Sequence, residues 1–192
     1  PVLVDESYTL DPGKWGPLLD HVNDIVVAGE KCIVWTTFTE NADWLAAKLQ
    51  GFGVAKVHGK LSMDQRNRAV DLFIKDPECR VLIATPGAAK EGLTLTVANH
   101  VIFFDRGFSL DDYLQAQDRI HRVSQLKTCY VYNLMMRDSI DEWVDVLLQA
   151  KRLAAQLAQG DISYDYYKSQ MSYSYGEIVR GILNIENTNK QR

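Results

Sequence analysis

Short apolar runs alternate along the chain with segments in which apolar residues recur every three or four positions. Most of these runs are apolar throughout, which is the pattern of strands buried on both faces of a parallel sheet. Alternation of strands with helical segments implies right-handed crossovers and a three-layer α/β sandwich with a mostly parallel central sheet. Strands are predicted over residues 31–38, 54–59, 80–85, 100–105 and 128–135.

The segments between and after these runs predict helices that begin at recognisable capping residues. Ser62 and Gln65 form an S-x-x-Q capping box at the start of the second predicted helix. Ser109 is expected to cap the third helix, and Ser139 together with Glu142 the fourth. The helices are predicted over residues 39–53, 61–77, 108–122 and 140–159.

Apolar stripes predict which face of each helix is buried. In the first helix Trp44, Leu45 and Leu49 are expected to face inward, and Gly51 is expected to stop the helix. Pro77 is expected to end the second helix. The stripe of the second helix consists of Val70, Phe73 and Ile74.

The composition changes after Gly160, where residues 161–192 become rich in tyrosine and serine. This segment is expected to form a C-terminal helix that docks on the domain through its tyrosines. The alternative is a stacking platform for nucleic acid bases, but basic residues are sparse in the segment. The last residues, 185–192, are expected to fray.

Overall composition narrows the class of protein. The chain is 46% hydrophobic with a net charge of −4, so it can pack a core and does not coat nucleic acid over its whole surface, although a local basic groove stays compatible with this charge. No apolar run reaches the roughly 18 residues of a membrane span, and the N-terminus has no basic region of a secretory signal. An intracellular protein is therefore expected. The first residue is Pro1 rather than methionine, which suggests a processed chain or a piece of a larger one.

Three cysteines lie far apart without a CxxC spacing, which argues against a disulfide framework and against a zinc site. Cys32, Cys79 and Cys129 are therefore each expected to be a small, buried apolar residue in a reducing compartment. His58 and His121 have no partners at metal-ligand spacing.

The sequence contains no complete catalytic constellation. A P-loop needs G-x-x-x-x-G-K-[ST], but Gly53 and Gly59 have the wrong spacing and Leu61 follows the lysine. The segment GFGVAK lacks the third glycine of a dinucleotide-binding fingerprint and precedes a strand. VLVDES, at residues 2–7, resembles a strand that ends in the Asp-Glu pair of an ATPase, but no P-loop precedes it.

The densest polar motif is QAQDRIHRVSQ, at residues 115–125. On a continuous helix Gln115, Arg119 and Arg122 share one face, while Ile120 and Val123 point to the core. Two guanidinium groups on an outward polar face form an anion receptor whose geometry suits phosphate oxygens. Spacing alone leaves the alternative of a solvated charged face, with an internal ion pair to Asp118, equally open.

The motif and its neighbours resemble a known family in the family's own order. QAQDRIHRVSQ resembles motif VI of the superfamily 2 helicases and translocases, in the form typical of the SWI/SNF-like branch. Ser124 stands where that family usually has glycine, and Thr94 replaces a common asparagine. The resemblance extends from about Gly13 to about Gly160. It also includes KCIVWTTF (motif IV), VHGKLSMDQRNRAVDLF (the following block), ATPGAAKEGLTLTVANHVIFFD (motif V) and VYNLMMRDSIDEWV (after motif VI).

This resemblance implies a RecA-like second lobe over residues 1–160, followed by a helical extension over residues 161–192. In such motors ATP with Mg²⁺ is held mainly by a first, N-terminal RecA-like lobe. Arg119 and Arg122 are then expected to act as arginine fingers that reach this ATP. The resemblance places Gln115 at the cleft edge and Glu91 and Gly92 near the ribose.

The resemblance also implies a partner, double-stranded DNA, along which such motors translocate. Phosphates of the tracking strand are expected to meet Thr36, Thr37, Lys60 and Thr85 at the strand ends. The competing interpretation of the threonines is helix capping, and Thr37 with Glu40 fits a capping box. Two other functions remain open: a non-catalytic binding module with the same fold, and a lobe of a strand-separating helicase.

Overall fold

The computed structural model describes residues 13–89 and 95–183. Five strands form one sheet in the order β2-β3-β1-β4-β5, and every neighbouring pair in it is parallel. Each strand lies within a predicted apolar run, so the predicted parallel α/β architecture is confirmed. The strands are β1 (Cys32–Trp35), β2 (Val54–Val57), β3 (Val81–Ala84), β4 (His100–Phe103) and β5 (Tyr130–Asn133).

Helices cover both faces of this sheet and extend beyond it at the C-terminal end. The first of them lies before β1 and was not predicted from the pattern. Short 3-10 turns at Gln50–Phe52 and Pro86–Ala89 follow α2 and β3. No helix in the described ranges is both long enough and apolar enough to span a bilayer. The helices are α1 (Trp15–Val27), α2 (Thr39–Lys48), α3 (Met63–Lys75), α4 (Leu110–Gln117), α5 (Ile140–Gln159), α6 (Tyr164–Gln170) and α7 (Tyr175–Ile182).

The sheet separates two apolar cores, and β1 contributes to both. Ile33 and Trp35 point to the core shared with α3 and α4, whereas Cys32 and Val34 point to the core shared with α1 and α2. Because successive side chains of a strand alternate between faces, a strand covered on both sides must be apolar at every position. Each fully buried aliphatic side chain contributes about 1.5–3 kcal/mol to folding. This central strand therefore fixes the three-layer arrangement.

Local signals predicted the beginning of α3 and missed the end of α2. The Ser62 hydroxyl accepts from the Gln65 amide at 3.3 Å, and the Ser62 amide donates to the Gln65 side chain at 2.9 Å, which confirms the capping box. The prediction that Gly51 stops the preceding helix is wrong, since α2 ends at Lys48. Gly53 has φ +67°, and a Cβ there would lie 1.9 Å from the carbonyl oxygen of Glu78, so this position requires glycine.

One member of the predicted stripe on α3 is not in the core. Val70 and Phe73 are buried as predicted, whereas Ile74 is 36% exposed. The prediction for Ile74 is therefore wrong. The apolar stripe by which α3 packs on the sheet is therefore narrower than the sequence pattern predicts.

The C-terminal segment packs on α5 through few of its tyrosines. Ile178 is fully buried, and a Cβ on Gly181 would lie 2.1 Å from the Trp143 ring, so α7 approaches α5 closely there. The Tyr173 ring contacts Trp143 with centroids 5.4 Å apart, whereas Tyr164 is 64% exposed. Docking of the extension is confirmed, but Ile178 and Gly181 carry more of it than the tyrosines do. The division of the chain at residue 160 stays a prediction, and residues 185–192 lie outside the described ranges.

Candidate functional site

The two arginines of the motif lie on a turn and not on the helix predicted for them. Helix α4 ends at Gln117, and residues 118–120 form a turn, so the predicted helix up to residue 122 is too long. The Ile120 amide donates to the Gln117 carbonyl oxygen at 3.3 Å, three positions back, as in a turn. The carbonyl oxygen of Arg119 accepts from the Leu95 amide at 3.0 Å, and the carbonyl oxygen of Ile120 accepts from the Gln125 side chain at 3.3 Å. Hydrogen bonds from other segments therefore hold the backbone of this turn.

The turn nevertheless brings the predicted nucleotide-facing residues together. A shallow depression of about 300 Å³ on the surface has Gln115, Arg119 and Arg122 in its wall. Asp118 and His121 complete the lining. Residues 118–122 are called the arginine turn below. The spacing predicted that both arginines lie on one face of a helix, whereas the structure places them on this turn at the end of α4.

Burial within the arginine turn differs from the prediction. Ile120 is fully buried, as expected, but Val123 is fully exposed, so its prediction as a core residue is wrong. Arg119 was expected to point outward with Arg122, yet it is only 6% exposed. The exposed member of the pair is Arg122, whose Nε donates to the Asp118 carbonyl oxygen at 3.0 Å.

The electrostatics of the depression favour an anion. Burial, and then the positive charge of Arg122, lower the pKa of the Arg119 guanidinium below its ordinary value, while Asp118 opposes this shift. An arginine keeps its charge even so. Two cations that destabilise each other gain from a shared anion, and the flat guanidinium fork matches phosphate oxygens.

The carboxyl ends of β1 and β4 carry a second polar cluster, centred on Asp105. Its carboxylate accepts from the Thr36 hydroxyl at 2.5 Å and from the Thr37 amide at 2.7 Å. It also accepts from the Thr37 hydroxyl and, at 3.1 Å, from the side-chain amide of Asn41. Thr37 does not cap α2, because Phe38 occupies the N-cap position, so the capping-box interpretation with Glu40 is wrong.

Lys60 and Thr85 lie at the ends of the neighbouring strands. The Lys60 ammonium group lies 2.8 Å from a Glu40 carboxylate oxygen at an exposed position. This hydrogen bond lowers the pKa of Glu40 to about 2 and raises the pKa of Lys60. Thr85 is 7% exposed, and its amide donates to the Val57 carbonyl oxygen at 3.0 Å. Of the four residues expected to meet DNA, Lys60 alone combines a positive charge with solvent exposure.

Sequence reasoning missed Asp105 and its neighbour Arg106. Arg106 donates to Asp145 of α5 at 2.6 Å, and its guanidinium lies 5.5 Å from the centroid of the Tyr113 ring. This buried ion pair fastens α5 to the end of β4. The available signal was a charged pair placed directly after an apolar strand, at the edge where parallel strands present their loops.

Two predicted nucleotide-site residues cannot be placed. Glu91 and Gly92 lie outside the described ranges. Within those ranges, no group of three or more histidine, cysteine, aspartate or glutamate side chains is arranged to hold a metal ion. Cys32 and Cys79 are buried free thiols, and Cys129 is half-buried.

The parallel sheet and the paired arginines after α4 define a RecA-like lobe of the kind found at the C-terminal side of helicase motors. The family described as helicase conserved C-terminal domain matches residues 17–124, and this chain belongs to that family. The resemblance to SWI/SNF-like helicases is thereby confirmed at the level of the family and its relatives.

Curated relatives cover most of this chain. The chain is 30% identical over 156 residues to lymphoid-specific helicase from Homo sapiens, which is 80% of this chain and 19% of the relative. It is 30% identical over 174 residues to the ATP-dependent helicase FUN30 from Saccharomyces cerevisiae, which is 88% of this chain and 15% of the relative. The chain thus spans less than a fifth of the length of either relative.

Solved structures agree with the fold. The C-terminal part of the Fun30 ATPase domain superposes with a TM-score of 0.66 at 30% identity, covering 74% of this chain and 49% of that chain. The Sulfolobus solfataricus SWI2/SNF2 ATPase core in complex with dsDNA superposes with a TM-score of 0.67 at 24% identity. It covers 95% of this chain and 38% of that chain, and at this identity it shows the fold alone.

Proposed function

We propose that this chain is the second motor lobe of an ATP-dependent translocase on double-stranded DNA. In this proposal Arg119 and Arg122 contact the phosphates of ATP bound on a first lobe, and Gln115 lies at the edge of the cleft. The observation that carries the proposal is the convergence of these three side chains on one depression. The lowered pKa of Arg119 adds to it, because it reflects first the burial of this guanidinium and then the positive charge of Arg122 beside it.

The proposed role follows from the chemistry of phosphoryl transfer. Negative charge on the transferred phosphoryl group is spread over its equatorial oxygens, and a fixed cation beside them contributes roughly 10³–10⁵ in rate. ATP enters with Mg²⁺, which the first lobe holds through its P-loop. Of the two arginines, the exposed Arg122 is the better candidate to cross to another lobe. The buried Arg119 is better placed to hold an anion and to support its neighbour.

The DNA part of the proposal rests on Lys60 and on the family. Each of the hydroxyl groups of Thr36 and Thr37 has a single proton, and both protons are donated to Asp105. These hydroxyls are therefore weaker candidates for donating to DNA phosphate than Lys60. The Sulfolobus solfataricus ATPase core of the same fold was solved in complex with dsDNA, and the proposal takes duplex DNA as the partner by this analogy.

The test is an Arg122→Ala substitution in the full-length protein. We expect the DNA-stimulated kcat to fall by about 10³ or more, with little change in ATP affinity, because a finger acts on the transition state. Arg152→Ala, on the exposed side of α5, is the matched control and should retain normal turnover. Arg119→Ala is a poorer test, since truncation of a buried side chain also lowers stability.

Near-normal turnover of the Arg122→Ala protein would remove the basis for the finger assignment.

A second requirement concerns the chain by itself. Its described residues contain no phosphate-binding loop, and its sequence has no P-loop motif. We therefore expect the purified chain to release no phosphate from ATP above a buffer blank, with or without DNA. DNA-stimulated release by the chain alone would contradict the assignment of ATP to another lobe.

A further inference from the structure

The side-chain amide of Gln125 joins separate stretches of backbone around the arginine turn. Its Nε2 lies 2.9 Å from the Ala98 carbonyl oxygen, 3.2 Å from that of Thr96 and 3.3 Å from that of Ile120. Its Oε1 accepts from the Lys127 amide at 3.0 Å. Both ends of this one amide group are therefore used in holding the backbone.

The backbone adds two further links at the same place. The Leu95 amide donates to the Arg119 carbonyl oxygen at 3.0 Å, and the Gln125 amide donates to the Arg122 carbonyl oxygen at 2.8 Å. Leu95 and Ala98 are themselves fully buried, in the core that the sheet shares with α3 and α4. The arginine turn is thus tied to residues 95–98, and those residues are anchored by packing.

These bonds matter because the arginine turn lies outside any regular element. A helix or strand would hold its own backbone, whereas the carbonyls around this turn depend on donors from elsewhere. The two protons on Nε2 serve three carbonyl groups, of which that of Ile120 also accepts from Cys129 Sγ at 3.6 Å, so their loss leaves the carbonyls of Thr96 and Ala98 without this donor. A displacement of catalytic groups by about 1 Å can cost about 10²-fold in rate. The Gln125 amide thus helps to hold the backbone that carries both guanidinium groups.

We propose that Gln125 is a positioning residue for Arg119 and Arg122. A shift of residues 95–98 would reach the arginine turn through the Gln125 side-chain amide and the Leu95 amide. The inference rests on the proposed function, and it adds a residue that the motif resemblance did not single out for any role.

The experiment compares two glutamine substitutions in the full-length protein. Gln125→Met keeps the length of the side chain and removes its donor. Gln117→Met is the matched control, because Gln117 lies at the end of α4 and its side chain makes no hydrogen bond within the described ranges. We expect Gln125→Met to lower the DNA-stimulated kcat by about tenfold, because misplaced catalytic groups lose rate. The KM for ATP should stay unchanged in both variants.

A third variant keeps the test decisive if the methionine protein melts early. Gln125→Lys places an ammonium group with three protons among the three carbonyl oxygens. We expect it to recover most of the kcat and the thermal midpoint of the wild type. An unchanged kcat in Gln125→Met would overturn the inference. So would a lysine variant that is no better than the methionine one.

Failure of this inference is distinguishable from failure of the proposed function. If Arg122→Ala abolishes turnover while Gln125→Met leaves kcat intact, the finger assignment stands and the positioning role is wrong. If Arg122→Ala retains turnover, the proposed function itself is wrong. The bond network can also be probed in the chain alone by amide hydrogen exchange. The Leu95 amide should exchange faster in Gln125→Met than in Gln117→Met.

Discussion

Thr36 and Asp105 are joined by a hydrogen bond of 2.5 Å across the neighbouring carboxyl ends of β1 and β4. The same carboxylate receives the Thr37 amide and the Asn41 side chain, and Asn41 lies in the first turn of α2. Helix α2 has no side-chain cap of its own at Phe38. A negative charge near the beginning of a helix favours its dipole. Asp105, which follows β4, therefore stabilises the beginning of α2 in the way that a local capping residue does in other helices.

Substitution of this carboxylate should destabilise the lobe. We expect Asp105→Ala to lower the free energy of unfolding by about 2–4 kcal/mol, because several donors lose a charged acceptor at once. Urea unfolding of the chain measures the change. The control is Asp20→Ala on the exposed side of α1, for which a change within about 0.5 kcal/mol is expected. Equal effects of the two substitutions would show that the Asp105 cluster adds no stability.

Glu30 predicts a pH dependence at the opposite, amino-terminal edge of the sheet. Its carboxylate lies 2.6 Å from Nε2 of His100 and 2.9 Å from the ammonium group of Lys127. These two hydrogen bonds, that of His100 first, lower the pKa of Glu30 from 4.5 to about 2. Because the folded pKa is depressed, the stabilisation is fully present above pH 4.5 and is lost as the pH falls towards about 2.

The corresponding measurement is the stability difference between wild type and Glu30→Gln as a function of pH. We expect the wild type to be more stable near neutral pH and the difference to shrink between pH 4.5 and about 2. Glu78→Gln, at an exposed position before β3, is the control and should show little difference at any pH. A difference for Glu30→Gln that stays constant over this range would mean that the carboxylate gains nothing from His100 and Lys127.

The parts of the fold that depend on local pattern were predictable from the sequence. The buried strands follow from uninterrupted apolar runs, and the capping box at Ser62 uses two side chains only three positions apart. The arginine turn was not predictable in the same way. The turn after α4 is held by hydrogen bonds from Leu95 and Gln125 to the carbonyls of Arg119 and Ile120. Neither partner is identifiable until the tertiary fold brings them together.

The candidate site shows the same division between local and distant information. Residue types and spacing in the motif marked Gln115, Arg119 and Arg122, and the structure brings all three to one depression. The burial of Arg119 and the exposure of Val123 depend on where the helix ends, so spacing gave the wrong face. Asp105 lies 69 positions from Thr36 in the sequence, and no periodic pattern relates two residues so far apart.

Because Lys60 is paired with Glu40, substitutions of the two residues are predicted to have opposite effects on DNA binding. We expect the chain to bind duplex DNA weakly, without sequence preference and less tightly as salt rises, because phosphate contacts release counterions. Lys60→Ala should weaken binding and reduce the slope of log affinity against log salt by about one contact. Glu40→Gln should strengthen binding, since the Lys60 ammonium group then loses the carboxylate that lies 2.8 Å away and competes with phosphate.

Fluorescence anisotropy with a labelled duplex at several salt concentrations measures all of these variants. Lys168→Ala on α6 serves as the control, because it removes an exposed lysine from the tyrosine-rich extension and not from the strand ends. If Lys168→Ala weakens binding and Lys60→Ala does not, DNA contacts the extension and not the strand ends. That result would support the interpretation in which the exposed tyrosines of the extension stack on bases. Opposite effects of Lys60→Ala and Glu40→Gln are the result expected if Glu40 and a DNA phosphate compete for the Lys60 ammonium group. Binding that is tight and insensitive to salt would exclude a track built on phosphate contacts.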